Sequence, residues 1–234
     1  MRRLTAVCIL WLGVCSGPPA AAQIVAPGPP GPYVIDVRGA ISAIPQDPVF
    51  FPPVSTGTGV PSRGTGIEVG AHLYLIQLGP GRVGIGASAL LVRGSVSPPK
   101  SVSGSTSAST VLPATPDVSA MLIDVAPQLS YNFGSADGWS YVSAGFGSAQ
   151  VLTGTSAFGG GESGTTMTPA QAMESGILSS MNVGGGARWF TKSHVAFSFD
   201  VRVHLVSAGM AEADIDAATP RMTLLVASAG ISLR

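Results

Sequence analysis

The chain has 234 residues, and only 10% of them are charged, with 12 basic and 12 acidic side chains that cancel. Soluble domains carry about 25% charged residues, and nucleic-acid-binding domains carry a clear excess of Lys and Arg, so both classes fit poorly. The 31 glycines, together with the lack of an apolar run of about 18 residues that could form a membrane helix, favour a β-barrel that crosses a membrane with strands.

The first 22 residues have the pattern of a secretory signal peptide. Two arginines at positions 2 and 3 precede the apolar run Leu4–Val14, and three alanines end the segment before Gln23. A basic start, a short apolar centre and a small-residue end are the parts of such a peptide, and a run this short cannot span a bilayer. We therefore predict cleavage before Gln23 and an exported mature protein.

The predicted cleavage limits the chemistry that the chain can carry. It removes Cys8 and Cys15, so the mature protein has no disulfide and no thiolate ligand, and it leaves 10 basic against 12 acidic residues. Three scattered histidines, without cysteine or a tight acidic loop, predict no metal site, and we expect no cofactor. Residues 23–32 read as a Pro/Gly-rich lead-in, and residues 33–234 form the predicted barrel.

Eight segments from residue 33 onward alternate between apolar side chains and polar or small ones. This alternation places one set on each face of a β-strand, and each segment supplies the roughly 9–11 residues that a tilted strand needs to cross the hydrocarbon. The predicted strands are Tyr33–Ile44, Thr65–Leu78, Arg82–Ser95, Ser119–Phe133, Trp139–Leu152, Gly176–Phe190, His194–Val206 and Arg221–Leu233.

The connections between these strands alternate in length. The first, third, fifth and seventh are long, whereas Gly79–Gly81, Gly134–Gly138 and Thr191–Ser193 are short. Short periplasmic turns and long outer loops are typical of an outer-membrane barrel. We predict an all-β, eight-stranded antiparallel up-and-down transmembrane barrel in a bacterial outer membrane, with both termini on the periplasmic side.

The strand His194–Val206 shows the division between the two faces most clearly. Val201 and the apolar residues at every second position point one way, while Asp200 and Arg202 point the other way. In a membrane barrel the apolar face meets lipid and the charged face lines the lumen. The inward polar network predicted in this way comprises Asp36, Arg38, Glu68, His72, Asp124, Gln128, Asn132, Arg188, Asp200, Arg202 and His204.

Antiparallel pairing across the short turns predicts a register for two hairpins. In the hairpin of the second and third strands, we expect Leu75 opposite Ile85 on the outside, with Ile76 facing inward. In the hairpin of the sixth and seventh strands, we expect Trp189 opposite Val195. A slip of one residue would turn every charge toward lipid, so the pattern specifies the register strongly.

Aromatic side chains gather beside the proposed periplasmic ends of the strands. Such a cluster at the bilayer interface is typical of the aromatic girdle of a membrane barrel. The fifth strand is ambiguous, since Trp139 and Tyr141 share one face and Val142, Ala144 and Phe146 the other, so a β-bulge is possible. The predicted girdle comprises Tyr33, Tyr131, Phe133, Trp139, Tyr141 and Trp189.

Residues 182–202, NVGGGARWFTKSHVAFSFDVR, carry a distinctive hairpin. Gly184, Gly186 and Arg188 form a Gly-x-Gly-x-Arg step before the turn, and the acidic-x-Arg step of Asp200 and Arg202 follows it. This hairpin resembles the penultimate hairpin of small outer-membrane β-barrel domains of the OmpA/OmpX-like group. The resemblance implies insertion into outer-membrane lipid by the barrel assembly machinery. Such barrels usually end in an aromatic residue, and here position 233 is a leucine.

Several functions remain open from the sequence. Balanced acids and bases inside eight strands predict a lumen filled by paired side chains, which indicates a structural or surface-interaction protein without catalytic residues. A small gated pore and a soluble secreted barrel that binds an apolar ligand are alternatives. A third alternative is a lipid A-modifying enzyme that uses His204 with Ser207, or His72 with Ser88. We expect no nucleic-acid partner, and the sequence identifies no extracellular partner.

Overall fold

A computed structural model describes residues 31–45, 61–96, 117–135, 137–156, 171–209 and 221–234. The predicted signal peptide and most of the lead-in lie outside these residues, so both stay predictions. No helix within the described ranges is long and apolar enough to span a membrane. The described strands are β1 Tyr33–Ala43, β2 Arg63–Leu78, β3 Gly81–Val96, β4 Asp117–Ser135, β5 Gly138–Ser156, β6 Gln171–Glu174, β7 Leu178–Lys192, β8 Val195–Val206 and β9 Met222–Leu233.

The sheet closes on itself. Each of β1 to β4 pairs antiparallel with the next strand, and the ladder continues from β5 through β7, β8 and β9. Strand β9 then returns to β1, where Leu233 lies opposite Ile35. Eight of the described strands therefore form a closed antiparallel barrel in chain order, which confirms the predicted architecture. The predicted strand bounds agree with the observed ones to within a few residues.

The short strand β6 extends one edge of this barrel. It pairs with the outer end of β5, where Glu174 lies opposite Leu152. Gly176 separates β6 from β7 with a φ of 66°, a left-handed conformation that glycine adopts easily. Hydrogen bonds between Ser175 and Val151 hold the chain beside β5 at this kink. The predicted sixth strand begins at the kink itself, two residues before β7.

The β2–β3 hairpin differs from the predicted register by two residues. Leu73, rather than Leu75, lies opposite Ile85. The turn has two residues, Gly79 and Pro80, rather than three, and the register shifts again at a bulge beside Leu75. The bulge turns Ile76 outward, where 62% of its surface is exposed, so its predicted inward position is wrong.

The β7–β8 hairpin is also displaced by two residues. Trp189 lies opposite Phe197 rather than Val195. The turn lies at residues 193 and 194, further along the chain than predicted. The later turn displaces the register, and an irregularity at Thr191 reduces that displacement by one residue. Because a strand repeats every two residues, a shift of two leaves the assignment of inward and outward side chains unchanged.

Strand β5 alternates regularly, and its register with β4 does not shift. Ser143 faces the lumen together with Trp139 and Tyr141, whereas Val142 and Phe146 face outward. The considered bulge is therefore absent from this strand. Trp139 and Tyr141 are 1% and 2% exposed, so their assignment to the aromatic girdle is wrong. The alternation of the strand, rather than their nearness to its end, decides their position.

The outer surface of the barrel is apolar. Val37, Leu129 and Phe197 are 44%, 60% and 53% exposed, whereas the polar residues next to them in the sequence are buried. A soluble ligand-binding barrel has the opposite arrangement, with its apolar side chains inside. An apolar surface that surrounds a protein is unfavourable in water. The exterior is therefore the lipid-facing surface of a transmembrane barrel.

Candidate functional site in the lumen

The eleven polar residues predicted to face inward all lie in the lumen, and none exposes more than 6% of its surface. Buried charges are tolerated only when they pair with one another, because removing them from water is costly. The carboxylates in this set are Asp36, Glu68, Asp124 and Asp200, and the guanidiniums are Arg38, Arg188 and Arg202. The near balance of the two signs allows such pairing.

Two arginines hold Asp36. Arg188 reaches it across the lumen with two hydrogen bonds, from Nε to Oδ1 at 2.9 Å and from Nη2 to Oδ2 at 2.6 Å. The Nη2 atom of Arg38 lies 2.9 Å from Oδ2, and the hydroxyl of Ser232 donates to Oδ1. Strands β1, β7 and β9 supply these groups. A bidentate arginine–carboxylate pair is among the strongest polar contacts in proteins. This group therefore links the first strand of the barrel, β1, to β7 and to the last strand, β9.

A second group centres on Arg202. Its Nη1 atom donates to Oδ1 of Asn182 at 2.9 Å, and its Nη2 atom donates to Oδ2 of Asp200 at 3.1 Å. A carboxylate oxygen of Glu68 lies 3.8 Å from Nε of Arg202 and 3.4 Å from Nη1 of Arg38. Glu68 therefore links this group to the one around Asp36, and the two groups form one charge network.

Tyr141 joins the network, although its predicted position was in the aromatic girdle. Its hydroxyl donates to Oδ2 of Asp200 at 2.7 Å. Its ring centroid lies 3.8 Å from Cζ of Arg188 and 5.8 Å from Cζ of Arg38, close enough for cation–π attraction. The ring has room because residue 186 is Gly186, where a Cβ atom would lie 2.9 Å from the Tyr141 hydroxyl. The alternation of inward and outward residues along β5 predicts a lumen position for Tyr141.

Gln128 connects polar side chains of neighbouring strands. Its Oε1 atom lies 3.0 Å from Nε2 of His72, and its Nε2 atom donates to the hydroxyl of Ser88 at 2.6 Å and to Oδ1 of Asn182 at 3.0 Å. His72 and Ser88, one of the pairs considered for lipid chemistry, each bind Gln128 rather than each other. The geometry therefore lacks the direct contact that a catalytic base and its nucleophile need.

The other considered pair, His204 and Ser207, shares no hydrogen bond among the described residues. His204 places Nδ1 2.7 Å from Oδ2 of Asp124, and the hydroxyl of Ser180 donates to Oδ1 of the same carboxylate at 3.0 Å. In a catalytic triad the histidine lies between the serine and the carboxylate. Here the carboxylate of Asp124 lies between Ser180 and His204. Ser207 bonds through its backbone N–H to the carbonyl of Ser179. Among the described residues, no three His, Cys, Asp or Glu side chains are grouped to hold a metal.

Apolar layers lie on both sides of the charge network. The outer layer is a buried cluster of Ala40, Leu90, Val92, Val118, Ala120, Leu122, Ala149, Val151, Leu178, Val206, Met222, Leu224 and Val226. A cavity of about 30 Å³ lies beside it and is lined by apolar residues that include Ile44 and Pro45. The periplasmic layer consists of Val34, Tyr74 and Trp139, with Phe190 packed against them. Neither layer was predicted from the sequence.

Comparisons with known proteins give structural likenesses only. No protein family and no curated protein matches the chain. The chain is similar to the attachment invasion locus protein Ail of Yersinia pestis, solved with the heparin analogue sucrose octasulfate, at 11% identity and a TM-score of 0.46 over 86% of this chain and 96% of Ail. It is similar to Neisserial surface protein A at 11% identity and a TM-score of 0.48, over 87% of this chain and 97% of that one.

A further similar structure is the outer membrane protease OmpT of Escherichia coli, at 8% identity and a TM-score of 0.46, over 86% of this chain and 96% of OmpT. The strand pairing and the apolar exterior described above define the architecture on their own. The chain is an eight-stranded transmembrane β-barrel. Closed antiparallel barrels with such an exterior are typical of outer membranes.

Four of the six predicted girdle residues lie on the exterior of this outer-membrane barrel. Tyr33 and Trp189 are 47% and 48% exposed, and Tyr131 stacks on Phe133 with ring centroids 5.8 Å apart. All four lie near the end of the barrel that carries the short turns. Their predicted role at the membrane interface stays a prediction.

Proposed function

We propose that this outer-membrane barrel has a structural or surface-interaction role and that its lumen does not conduct ions. The observation that carries the proposal is the bidentate Arg188–Asp36 pair, which crosses the lumen between two apolar layers. Eight strands enclose a lumen that side chains just fill. An ion would have to break this network and also cross the outer aliphatic layer, where a hydrophobic constriction excludes hydrated ions.

Single-channel recording tests the closed lumen. The mature protein is refolded, its folded fraction is measured as the fraction that shifts on an electrophoresis gel only after boiling, and it is inserted into a planar bilayer. We expect no conductance steps above those of the bare bilayer in salt solutions at neutral pH. Regular steps that scale with the amount of folded protein, and that vanish with boiled protein, would establish the small pore instead.

We also propose that the protein has no enzymatic activity on lipid. The proposal is supported by the hydrogen bonds of the two lumen histidines, which join His72 to Gln128 and His204 to Asp124 rather than either histidine to a serine. Mass spectrometry of lipid A from cells with and without the protein tests this point. We expect identical lipid A species, and an acyl chain that is lost or gained only when the protein is present would contradict the proposal.

The surface-interaction part of the proposal is supported by the lengths of β4 and β5. Each has 19 residues, whereas crossing the hydrocarbon takes roughly 9–11. The remainder, which pairs with β3 on one side and β6 on the other, extends the sheet and can present the outer connections to other molecules. Outer-membrane lipid and the barrel assembly machinery are the partners that we expect from the fold, and no extracellular partner is identified.

Shortening one outer connection tests this role. Residues 97–116 are replaced by a short Gly/Ser linker, which leaves β3 and β4 intact, and boiling-dependent gel mobility checks that the barrel still folds. We expect cells that carry the shortened protein to adhere less to host-cell and matrix surfaces than cells that carry the full chain. Equal adhesion of the two strains, both above a strain without the protein, would assign adhesion to another part of the surface. Equal adhesion of all three strains would remove the adhesive role.

A further inference from the structure

We propose that the periplasmic half of the lumen binds a small cluster of water molecules between Tyr74, Ser130, Asn132 and Trp139. This goes beyond the structural role proposed above, because it makes part of the lumen a hydrated chamber rather than a dry, fully packed core. It also does not depend on which surface partner the barrel has. The ligand is water, and the binding groups are uncharged.

The strand register brings the four side chains together. Tyr74 on β2 and Ser130 on β4 lie on opposite sides of Gly84 on β3, and the Tyr74 ring lies over this glycine, where a Cβ atom would meet it. Asn132 is the next inward residue after Ser130, and Trp139 is the inward residue of β5 diagonal to it. The rings of Tyr74 and Trp139 meet edge to face with centroids 6.5 Å apart. None of the four exposes more than 2% of its surface.

Each of these side chains has a polar atom without a hydrogen-bond partner. The atoms are the hydroxyls of Tyr74 and Ser130, both amide atoms of Asn132 and the indole N–H of Trp139. Folded proteins leave few buried polar atoms unpaired, because each loses its bond to water and gains nothing in return. Tyr74 and Ser130 flank Gly84, and Asn132 and Trp139 occupy adjoining inward positions of β4 and β5, so these unpaired atoms indicate a common ligand.

The chemistry of these atoms selects water. The indole N–H of Trp139 can only donate and the amide oxygen of Asn132 can only accept, while the two hydroxyls do either. An anion would satisfy the donors alone, and a cation would satisfy the acceptors alone. The charge of Arg188, which lies opposite Trp139, is already paired with Asp36 through Nε and Nη2, and only its Nη1 atom has no hydrogen-bond partner. Water both donates and accepts, and a buried water makes about three such bonds.

The apolar layers determine how this water exchanges. The outer aliphatic cluster separates the chamber from the outer mouth of the barrel. On the periplasmic side the rings of Trp139 and Phe190 pack with centroids 4.7 Å apart. Because packed apolar side chains lie on both routes, we expect each water molecule to stay far longer than the waters on an open surface do.

Nuclear magnetic resonance on the folded barrel in lipid nanodiscs tests the proposal. The measurement is magnetisation transfer from water to the indole proton of Trp139, with the protein labelled with nitrogen-15. Trp189 is a matched control, because it is the same residue type on the lipid-facing surface, and Trp189→Phe assigns the two signals. We expect a water signal at Trp139 with the sign of a long-lived complex, and none at Trp189. A folded barrel without transfer to Trp139 would overturn the proposal.

Two further measurements exclude other sources of that signal. Tyr74→Phe and Ser130→Ala each remove one hydroxyl and leave enough partners for water, so we expect the transfer to persist in both. Its loss in either folded variant would show a relay through that hydroxyl and would count against bound water. Replacing chloride by nitrate should leave the Trp139 indole shift unchanged. A chloride-dependent shift would identify a halide as the ligand and would also overturn the proposal.

Discussion

Arg188 on β7 and Asp36 on β1 form a bidentate ion pair across the lumen, although 152 positions separate them in the sequence. Both side chains are almost completely buried. Neither charge has access to bulk solvent in the folded barrel, so each depends on the other and on the polar groups around them. This dependence gives the first prediction.

Arg188→Met should destabilise the barrel by about 3–5 kcal/mol, because it leaves the buried carboxylate of Asp36 with one arginine instead of two. Urea unfolding in detergent micelles, followed by tryptophan fluorescence, measures the loss. The double variant Arg188→Met with Asp36→Leu removes both charges and should recover part of the stability. A single variant as stable as the natural chain would show that the pair contributes little.

Tyr141→Phe should cost about 1–3 kcal/mol, because it removes a hydrogen bond to the buried carboxylate of Asp200. Tyr131→Phe is the matched control. Its hydroxyl donates to the carbonyl of Leu78 at an exposed position, so the change should stay within about 0.5 kcal/mol. The same urea titration measures both variants. Equal losses at the two positions would contradict the inward role assigned to Tyr141.

Gly186→Ala should destabilise the barrel by about 1–3 kcal/mol through overpacking. A Cβ atom at this position would overlap the carbonyl oxygen of Phe199 and crowd the hydroxyl of Tyr141. Gly138→Ala is the control, since a Cβ atom there would lie 3.6 Å from the Trp189 ring, an ordinary contact. Midpoints of thermal unfolding, read from the shift in gel mobility, should fall for the first variant only. A lower midpoint for the second variant alone would refute the lumen packing described above.

Leu129→Cys should be unreactive toward a polar maleimide in lipid vesicles, because Leu129 lies on the lipid-facing exterior. Asp137→Cys, at an exposed position in the β4–β5 turn, should react readily. Both native cysteines lie in the predicted signal peptide, so the mature chain has no competing thiol. In urea both variants should react at the same rate. Rapid labelling at Leu129 in folded, vesicle-bound protein would place water, not lipid, on this face.

The faces of the strands could be predicted from the sequence because a period of two is a direct consequence of strand geometry. The registers could not. The bulge at Leu75 and the irregularity at Thr191 each insert one residue into a ladder close to a turn. The alternation along one strand does not specify which residue of the partner strand lies opposite, and a β-bulge changes that pairing.

The two apolar layers were missed for a different reason. Leu90, Leu91 and Val92 are consecutive apolar residues, so this part of β3 has no alternation that separates the lumen from lipid. Only the neighbouring strands decide that the first and third of these residues are buried while the second is exposed. Trp139 and Tyr141 were misassigned because their place near a strand end was given more weight than their parity.

The charge network also constrains how the protein enters its membrane. Arg38 donates to Ser198, 160 positions away, and Asp36 accepts from Ser232, 196 positions away. If the strands entered the membrane before the barrel closed, these charges would lie in the hydrocarbon without their partners. That is energetically costly for every ionised group. Insertion one hairpin at a time is therefore disfavoured. The first and last hairpins must pair while the charged side chains are still hydrated, so that barrel closure and burial of the charges occur together.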